Sequence, residues 1–110
     1  MSGRFKLCHS GDGFRFDLVA GNGETILSSQ KYASKEGAQK GIASVKSNAA
    51  DDERYDRRTS KAEQPYFALK AANGEIIGTS QMYASPDTLE TGIASVKSHA
   101  PDAEIEDQTA

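Results

Sequence analysis

The chain has 110 residues, of which 36% are hydrophobic and 26% charged, and its formal net charge is -3. This length is typical of one domain, and an even mixture of charges is typical of a folded chain. A net negative charge argues against a dedicated nucleic-acid binder, because such proteins usually carry a basic excess. No apolar run approaches the roughly 20 residues that cross a bilayer, and the N-terminus lacks a secretory signal, so a cytoplasmic location is expected.

The first thirty residues predict three strands. Apolar and polar residues alternate over residues 5–7 and 14–18, on either side of a turn at Gly11–Gly13. A period of two is typical of strands that bury one face. Asn22-Gly23 then supplies the positive φ values of a tight hairpin turn, and a third strand is predicted over Thr25–Gln30.

A helix is predicted to begin at Ser34, where the period of the apolar residues changes to 3.6. The stripe expected to face the sheet is Ala38, Ile42, Val45 and Ala49. Gly41 lies beside this stripe and costs about 1 kcal/mol of helix propensity, so a close approach of the helix to a strand is expected to compensate. Asp51-Asp52 then leads into a predicted closing strand over residues 53–60.

The second half of the chain repeats the first. Gly41–Ser47 recurs identically as Gly92–Ser98, an offset of 51 residues, and the match extends upstream without a gap. The repeat predicts a strand over Ile76–Gln81, a helix after Ser85 and a closing strand over residues 103–106. The second helix starts with Pro86 and Asp87, which suit a helix N-terminus. Its buried stripe is predicted to be Leu89, Ile93, Val96 and Ala100.

The two copies are expected to share one core, because about fifty residues are near the lower limit for burying enough apolar surface to fold alone. The prediction is a single domain over residues 1–110. Repeat one spans about residues 4–56 and repeat two about residues 54–108. One long strand is expected to close the first unit and open the second.

Four motifs together resemble those of the YegP-like family of small bacterial proteins. They are Ala-x-Asn-Gly-Glu, Ser-Gln-x-Tyr-x-Ser, Gly-Ile-x-Ser-Val-Lys and the closing Asp-Ala-Glu-x-Glu-Asp. The resemblance covers nearly the whole chain, although Lys35-Glu36-Gly37 stands in the first copy where Pro86-Asp87-Thr88 stands in the second.

This resemblance implies an α+β fold built from two β-β-β-α-β units. Their strands are expected to form one antiparallel sheet with exchanged C-terminal strands, and one helix per repeat packs on the sheet. Single-copy relatives are expected to pair as dimers. A two-copy chain is therefore expected to be a monomer that is its own pseudo-dimer. The resemblance brings no activity with it.

A polar set that occurs in both copies is the best candidate ligand site. Its members are Gln30, Tyr32, Ser34 and Lys46 in the first copy and Gln81, Tyr83, Ser85 and Lys97 in the second. An amide and a phenol before a helix N-terminus are well placed to hold an anion. The alternative is that these side chains satisfy backbone groups at a strand–helix junction and cover the edge of the core.

A basic cluster is the candidate anion-binding site. It consists of Arg54, Arg57, Arg58 and Lys61. Beside Tyr55, such a strand could contact phosphates or single-stranded nucleic acid. Glu53, Asp56 and Glu63 lie among the basic residues, and this mixture is instead typical of a solvated strand face.

No catalytic constellation, metal site or cofactor is predicted. Cys8, the only cysteine, neighbours His9 on a strand, so the two side chains point to opposite faces and cannot form a nucleophile–base pair. His99 falls in the last turn of the second helix, where a cation complements the helix dipole. The acidic pairs Asp51-Asp52 and Glu104–Glu106 are interpreted as solvated edges rather than acid–base or cation sites.

The sequence thus favours a non-enzymatic binding or interaction module. Its expected partner is a protein or a small anionic ligand, and neither a membrane nor a nucleic acid. One alternative is nucleic-acid or anion binding through the Arg54–Lys61 strand. Another is an enzyme whose site lies at the junction of the two copies and uses Tyr32, Tyr83 or the acidic residues.

Overall fold

A computed structural model describes residues 3–109, which fold into one sheet of seven strands and two α-helices. The strands are β1 Arg4–Ser10, β2 Gly13–Val19, β3 Thr25–Ser29, β4 Tyr55–Thr59, β5 Pro65–Lys70, β6 Ile76–Thr79 and β7 Glu104–Asp107. The helices are α1 Lys35–Asn48 and α2 Pro86–His99, and short 3-10 turns at Asp52–Arg54 and Ala100–Asp102 precede β4 and β7. Neither α-helix has the length and apolar character needed to cross a membrane.

The strand order in the sheet is β4-β5-β6-β3-β2-β1-β7. Each repeat contributes a meander of three strands, and the meanders join where Ser28 and Ser29 of β3 pair with Thr79 and Gly78 of β6. Every pair of neighbouring strands is antiparallel except β1 and β7, which are parallel. The expected all-antiparallel sheet is therefore wrong. A mixed sheet forms because the long connection through α2 allows β7 to return in the same direction as β1.

The prediction of one long strand between the repeats is also wrong. The Asp51 carboxylate accepts a hydrogen bond from the Glu53 N–H at 3.0 Å, and the Tyr55 N–H donates to the Asp52 carbonyl. These bonds hold Asp52–Arg54 in a 3-10 turn, so β4 begins only at Tyr55. Within residues 3–109, β4 pairs only with β5 and opens the second repeat.

One buried core joins both repeats. Phe5, Phe16 and Phe67 have no exposed surface, and they belong to the same cluster as residues from both helices. The two predicted helix stripes, Ala38, Ile42, Val45, Ala49 and Leu89, Ile93, Val96, Ala100, are buried in that cluster as expected. Burying one large apolar side chain contributes about 1.5–3 kcal/mol, so the shared core is the main source of stability.

Both helices begin at the predicted serines. The Ser34 hydroxyl accepts a hydrogen bond from the Gly37 N–H at 3.0 Å, and the Ser85 hydroxyl accepts one from the Thr88 N–H at 3.3 Å. In the second helix the Thr88 hydroxyl also accepts from the Ser85 N–H, which completes a capping box. The second cap therefore satisfies one more free N–H than the first.

The glycines of the helices lie against aromatic side chains. A Cβ on Gly41 would lie 2.5 Å from the Tyr32 hydroxyl and 2.9 Å from Cε2 of Phe16. A Cβ on Gly92 would lie even closer to the hydroxyl of Tyr83. The helices do lie close to neighbouring groups at these glycines, as expected. Those groups are aromatic side chains rather than the backbone of a strand.

Candidate functional site

The serines at or just after the ends of the third strands have a structural role in both repeats. The Ser29 hydroxyl accepts from the Phe16 N–H at 2.8 Å and donates to the Gln30 carbonyl at 2.8 Å. The Ser80 hydroxyl accepts from the Phe67 N–H at 3.0 Å and donates to the Gln81 carbonyl at 2.8 Å. Each serine therefore satisfies backbone groups where the strand ladder ends.

The two candidate tyrosines pack in the same way. Tyr32 stacks on Phe16 with 6.1 Å between ring centres, and Tyr83 stacks on Phe67 at 6.3 Å. Burial raises the pKa of the Tyr32 hydroxyl, and the charge of Glu75 raises it further. Burial also raises the pKa of Tyr83, against an opposing hydrogen bond from Gln81. Both phenols are therefore neutral near pH 7 and able to donate hydrogen bonds.

Several of these side chains reach across the junction between repeats. The Gln30 amide donates to the carbonyl of Ile76 at 3.1 Å. Glu75 lies in the second repeat and acts on Tyr32, whereas Glu24 lies in the first repeat and raises the pKa of Tyr83. The turn before the third strand of each repeat thus faces the tyrosine of the other repeat.

A cleft of about 230 Å³ lies at this junction. Its lining residues come from both repeats: Tyr32, Gly37, Lys40, Gly41 and Ser44 from one, and Ala71, Asn73, Glu75, Ile76 and Ile77 from the other. Lys40 and Glu75 are exposed and carry opposite charges, while Ile77 is buried. The cleft, hereafter the inter-repeat cleft, therefore combines an apolar surface with a positive and a negative group.

A larger hollow, of about 350 Å³, lies beside the β1–β2 turn and is lined by residues 12–13 and 31–33. Lys31 and Asp12 form an exposed ion pair across it, with 2.9 Å between Nζ and Oδ1. All of its lining residues belong to the first repeat. Because Lys31 and Asp12 pair with each other, this hollow has fewer charged groups available to a ligand than the inter-repeat cleft has.

The candidate lysines lie elsewhere. Lys46 Nζ is 5.9 Å from the centre of the Phe5 ring, and Lys97 Nζ is 5.6 Å from that of Tyr55. Neither lysine lines the inter-repeat cleft. The predicted polar set therefore does not form a single site. Its serines cap the helices, Gln30 and the tyrosines lie at the junction, and its lysines lie over the first strand of each repeat.

The candidate basic cluster is largely engaged by acidic side chains. Arg57 forms two hydrogen bonds with the Glu90 carboxylate, at 2.6 and 2.9 Å, and a third with Asp52 at 3.2 Å. Arg58 binds Asp56 at 2.8 Å, and Arg54 lies 3.6 Å from Asp51. Lys61 is exposed in the β4–β5 turn.

The partners of Arg57 were not identified from the sequence. Lys97 also donates to Asp52, at 2.9 Å, so Asp52, Arg57, Glu90 and Lys97 form one network. Hydrogen bonds from Lys97 and then Arg57 lower the pKa of Asp52, and Arg57 lowers that of Glu90. Glu90 lies 33 residues from Arg57 and Lys97 lies 45 residues from Asp52, so no local pattern connects the two halves of the network.

Both histidines and Glu106 contact other groups of the chain. His9 Nε2 lies 3.2 Å from the Thr109 carbonyl, and His99 Nδ1 lies 2.8 Å from that of Ser95. Glu106 of β7 pairs with Arg4 at 3.5 Å. In the part of the chain that the structure describes, no group of three or more His, Cys, Asp or Glu is arranged to hold a metal ion.

Known proteins match the whole chain. The family model "Domain of unknown function (DUF1508)" matches residues 9–56 and again residues 60–107. The UPF0339 protein YegP of Escherichia coli is 54% identical over 110 residues, which cover 99% of this chain and 100% of that protein. A UPF0339 protein of Bordetella pertussis is 55% identical over 109 residues, covering 99% and 98% of the two chains.

Solved structures share the fold. The solution NMR structure of yegP from Escherichia coli, a protein of unknown function, has a TM-score of 0.94 at 54% identity, covering 100% of this chain and 96% of that one. The NMR structure of a UPF0339 protein from Shewanella oneidensis has a TM-score of 0.93 at 47% identity, covering 99% and 93%. None of these names states an activity.

Proposed function

Since the chain belongs to the DUF1508 family and carries the domain twice, as the YegP-like resemblance implied, we propose that it is a non-enzymatic binding module that holds a small zwitterion in its inter-repeat cleft. The observation that carries this proposal is that both repeats line the cleft and supply opposite charges, Lys40 and Glu75. A ligand of amino-acid size suits a cleft of about 230 Å³.

The lining defines how such a ligand would bind. Its carboxylate would meet Lys40 and the Ser44 hydroxyl, and its ammonium group would meet Glu75. Its apolar part would cover Tyr32 and Ile76. Lys40 now pairs with Glu36 at 3.7 Å on the helix surface. Exposed pairs of this kind are weak, so a ligand carboxylate can compete for Lys40.

The chemistry of Tyr32 supports binding rather than catalysis. A general base works best when its pKa is near the working pH. The pKa of Tyr32 is raised above its ordinary value by burial and by Glu75. Its phenol is therefore a hydrogen-bond donor and a poor proton acceptor at neutral pH.

This proposal can be tested with a panel of amino acids and small carboxylates. Binding is screened by thermal shift and then measured by calorimetry. A ligand that binds only the native state raises the melting temperature. We expect Glu75→Gln and Lys40→Gln each to weaken binding about tenfold or more, since each removes a charge-assisted contact. The control Glu63→Gln, which removes an exposed acid from the β4–β5 turn, should bind as the unaltered chain does. If every compound leaves the melting temperature unchanged, the proposal fails.

The proposed working form is a single domain and a monomer in the cytoplasm. We infer that each repeat derives from a β-β-β-α-β unit whose C-terminal strand was exchanged with a partner. Support comes from β7, which leaves the second repeat and pairs with β1 of the first. In the first repeat the corresponding segment continues directly into β4. A chain that sediments as a stable dimer would contradict the internal pseudo-dimer.

Binding of nucleic acid or anions through the Arg54–Lys61 strand stays a prediction. The ion pairs of Arg57 and Arg58 weigh against it, because their positive charge is already neutralised locally. If this strand binds nucleic acid, an Arg57→Ala, Arg58→Ala double variant should bind more weakly and with a shallower salt dependence.

A further inference from the structure

The inter-repeat cleft has an equivalent position at the other end of the sheet. Because β3 and β6 pair antiparallel, the hairpin turns that precede them, residues 20–24 and 71–75, lie at opposite ends of these strands. The turn at residues 71–75 borders the cleft together with α1. At the other end α2 packs against β3. The place where α2 meets the turn at residues 20–24 is hereafter the second position.

The same contacts form the cleft and the second position. In each hairpin turn the asparagine side chain accepts a hydrogen bond from the glutamate N–H at 3.0 Å. Besides burial, the charge of Glu75 raises the pKa of Tyr32, and that of Glu24 raises the pKa of Tyr83. Each tyrosine hydroxyl also lies against a helix glycine. Each position therefore brings together a helix, a tyrosine and the carboxylate of an Asn-Gly-Glu turn.

Most side chains at the two positions are identical. The repeat offset of 51 residues relates the cleft residues Tyr32, Gly41, Ser44, Ala71, Asn73, Glu75 and Ile77 to Tyr83, Gly92, Ser95, Ala20, Asn22, Glu24 and Ile26. The differences are Gly37 against Thr88, Lys40 against Thr91 and Ile76 against Thr25. Only the exchange of lysine for threonine changes the charge.

The second position keeps the acid of the cleft but lacks its base. Glu24 is exposed, as Glu75 is. The Thr91 hydroxyl donates a hydrogen bond to the Asp87 carbonyl of its own helix at 3.2 Å. A ligand carboxylate at this position would face Glu24 without a lysine to pair with. Its binding is unfavourable, because like charges repel and the lost hydration of the carboxylate is not replaced.

The apolar lining also favours the inter-repeat cleft. Ile76 is half-buried in the cleft, whereas Thr25 is exposed at the second position. Ile77 and Ile26 are buried. An aliphatic side chain placed against Ile76 and the Tyr32 ring would remove apolar surface from water. The cleft therefore suits an amino acid with a small aliphatic side chain.

We propose that the inter-repeat cleft binds a small aliphatic amino acid and that Lys40 confines this binding to one of the two equivalent positions, so that each chain holds one molecule. This inference rests on the proposed function and names both its ligand class and the residue that sets its specificity. Both positions carry an acid that would meet the ammonium group. The charge-assisted contact with the carboxylate therefore decides which position is occupied.

Titration of the full chain with leucine, followed by amide chemical shifts, tests this inference. In the unaltered chain we expect saturable changes around residues 71–77, whereas residues 20–26 should respond about tenfold more weakly or not at all. Thr91→Lys should add saturable changes around residues 20–26 and raise the stoichiometry from one to two. A lysine at position 91 would lie one turn after Asp87, as Lys40 lies one turn after Glu36.

Three controls separate charge from bulk and locate the second molecule. Thr91→Gln adds a long side chain without a charge, so it should still bind one leucine. Glu24→Gln should abolish the added binding of Thr91→Lys and leave the cleft unaffected. Leucinamide keeps the ammonium group and the aliphatic side chain but lacks the carboxylate, so Thr91→Lys should not strengthen its binding.

The fold should tolerate these changes, because Thr91 and Glu24 are exposed and lysine has a higher helix propensity than threonine. Thr91→Arg supplies the same charge as a second test, and a melting curve for each variant confirms that folded proteins are compared.

Different results would contradict this inference and the proposed function. The inference fails, and the proposed function stands, if the unaltered chain binds two leucine molecules or if Thr91→Lys and Thr91→Arg still bind one. The same holds if the unaltered chain binds another zwitterion of the panel but not leucine. An unaltered chain that binds no amino acid overturns both.

Discussion

The inner parts of the two repeats are nearly identical, whereas their outer edges differ. Each tyrosine stacks on its phenylalanine, with interplanar angles of 13° and 12°, and each hydroxyl lies against a helix glycine. At the edges, β1 is covered by β7, whereas β4 is preceded by a 3-10 turn that the Asp51 carboxylate caps. The two repeats therefore share the packing of tyrosine, phenylalanine and helix glycine in the core and differ at their edges.

The difference at the edges follows from covalent connection. In the second repeat the chain is able to continue from α2 along β1. In the first repeat the same stretch has to become the opening strand of the next copy. One segment cannot occupy both positions, so within residues 3–109 β4 pairs with β5 alone.

The largest expected effect is on a chain that ends after Asp52. That half lacks β6, which pairs with β3, and all second-repeat residues of the shared core. A unit of this size is near the limit for independent folding, so we expect it to be unfolded or to form a dimer. Circular dichroism and light scattering after gel filtration distinguish these states. A cooperatively folded monomer would show that each repeat is self-sufficient.

Alanine substitutions at Gly41 and Gly92 test whether the equivalent glycine–tyrosine contacts of the two repeats contribute equally to stability. Overpacking commonly costs about 1–3 kcal/mol, and Gly→Ala recovers up to about 1 kcal/mol of helix propensity. We expect Gly41→Ala to destabilise more than Gly92→Ala. The added methyl group at 41 meets the fully buried Phe16 as well as Tyr32, whereas at 92 the nearest atoms all belong to half-buried Tyr83.

Urea denaturation of the two alanine variants measures this difference. Ala43→Gly and Ala94→Gly, at exposed positions of the same helices, provide matched controls for helix propensity alone. The reverse order of the two alanine variants would mean that Phe16 moves more easily than Tyr83.

The helix caps should differ by a smaller amount. Ser85→Ala removes a hydroxyl that accepts from the Thr88 N–H and also lies 3.3 Å from the Thr88 hydroxyl, whereas Ser34→Ala loses the single hydrogen bond from the Gly37 N–H. Loss of an N-cap commonly costs about 0.5–2 kcal/mol, and we expect Ser85→Ala to lie near the upper end. Thermal and urea unfolding provide the measurement. Equal losses would mean that the contact between the Ser85 and Thr88 hydroxyls adds nothing to the cap.

The smallest effect should be on the acid sensitivity of the two edges. Lys97 and Arg57 lower the pKa of Asp52, and Lys35 lowers that of Asp107 on β7. A carboxylate whose pKa is depressed by folding stabilises the protein above its unfolded pKa of about 3.9 and loses this contribution as the pH falls. Asp52→Asn and Asp107→Asn should each flatten the decline of melting temperature below about pH 4.

The control for this experiment is Glu63→Gln, in the exposed β4–β5 turn. An unchanged acid slope in Asp52→Asn would show that the network contributes nothing to stability. An unchanged slope in Asp107→Asn alone would show that β7 is held by its backbone hydrogen bonds rather than by Lys35.

Local patterns predicted most of the elements. The alternation around Phe16 and Leu18, the Asn-Gly turns and the stripes below Ile42 and Ile93 all correspond to observed strands, turns and helices. Each depends on residues only a few positions apart, where geometry leaves few choices. The prediction failed at Glu53 and Arg54, because the Asp51 carboxylate holds them in a 3-10 turn that alternation does not reveal.

The candidate sites were harder to predict than the fold. The sequence selected Tyr32 and Gln30, which the structure places at the junction, but Lys46 lies over Phe5 instead. Lys40 and Glu75 were not selected, since a charged residue on a helix surface or in a hairpin turn has no distinctive pattern. Only their shared cleft makes them notable.

The sequence by itself determined the duplication, the order of strands and helices, the serine caps and the residues of the core, because periodicity and capping act over a few neighbouring residues. The tertiary structure alone decided that β7 lies parallel to β1, that Asp52 and Arg57 bind Lys97 and Glu90, and that the two repeats line one cleft. These features join positions far apart in the chain, and their partners are selected by how the two halves pack.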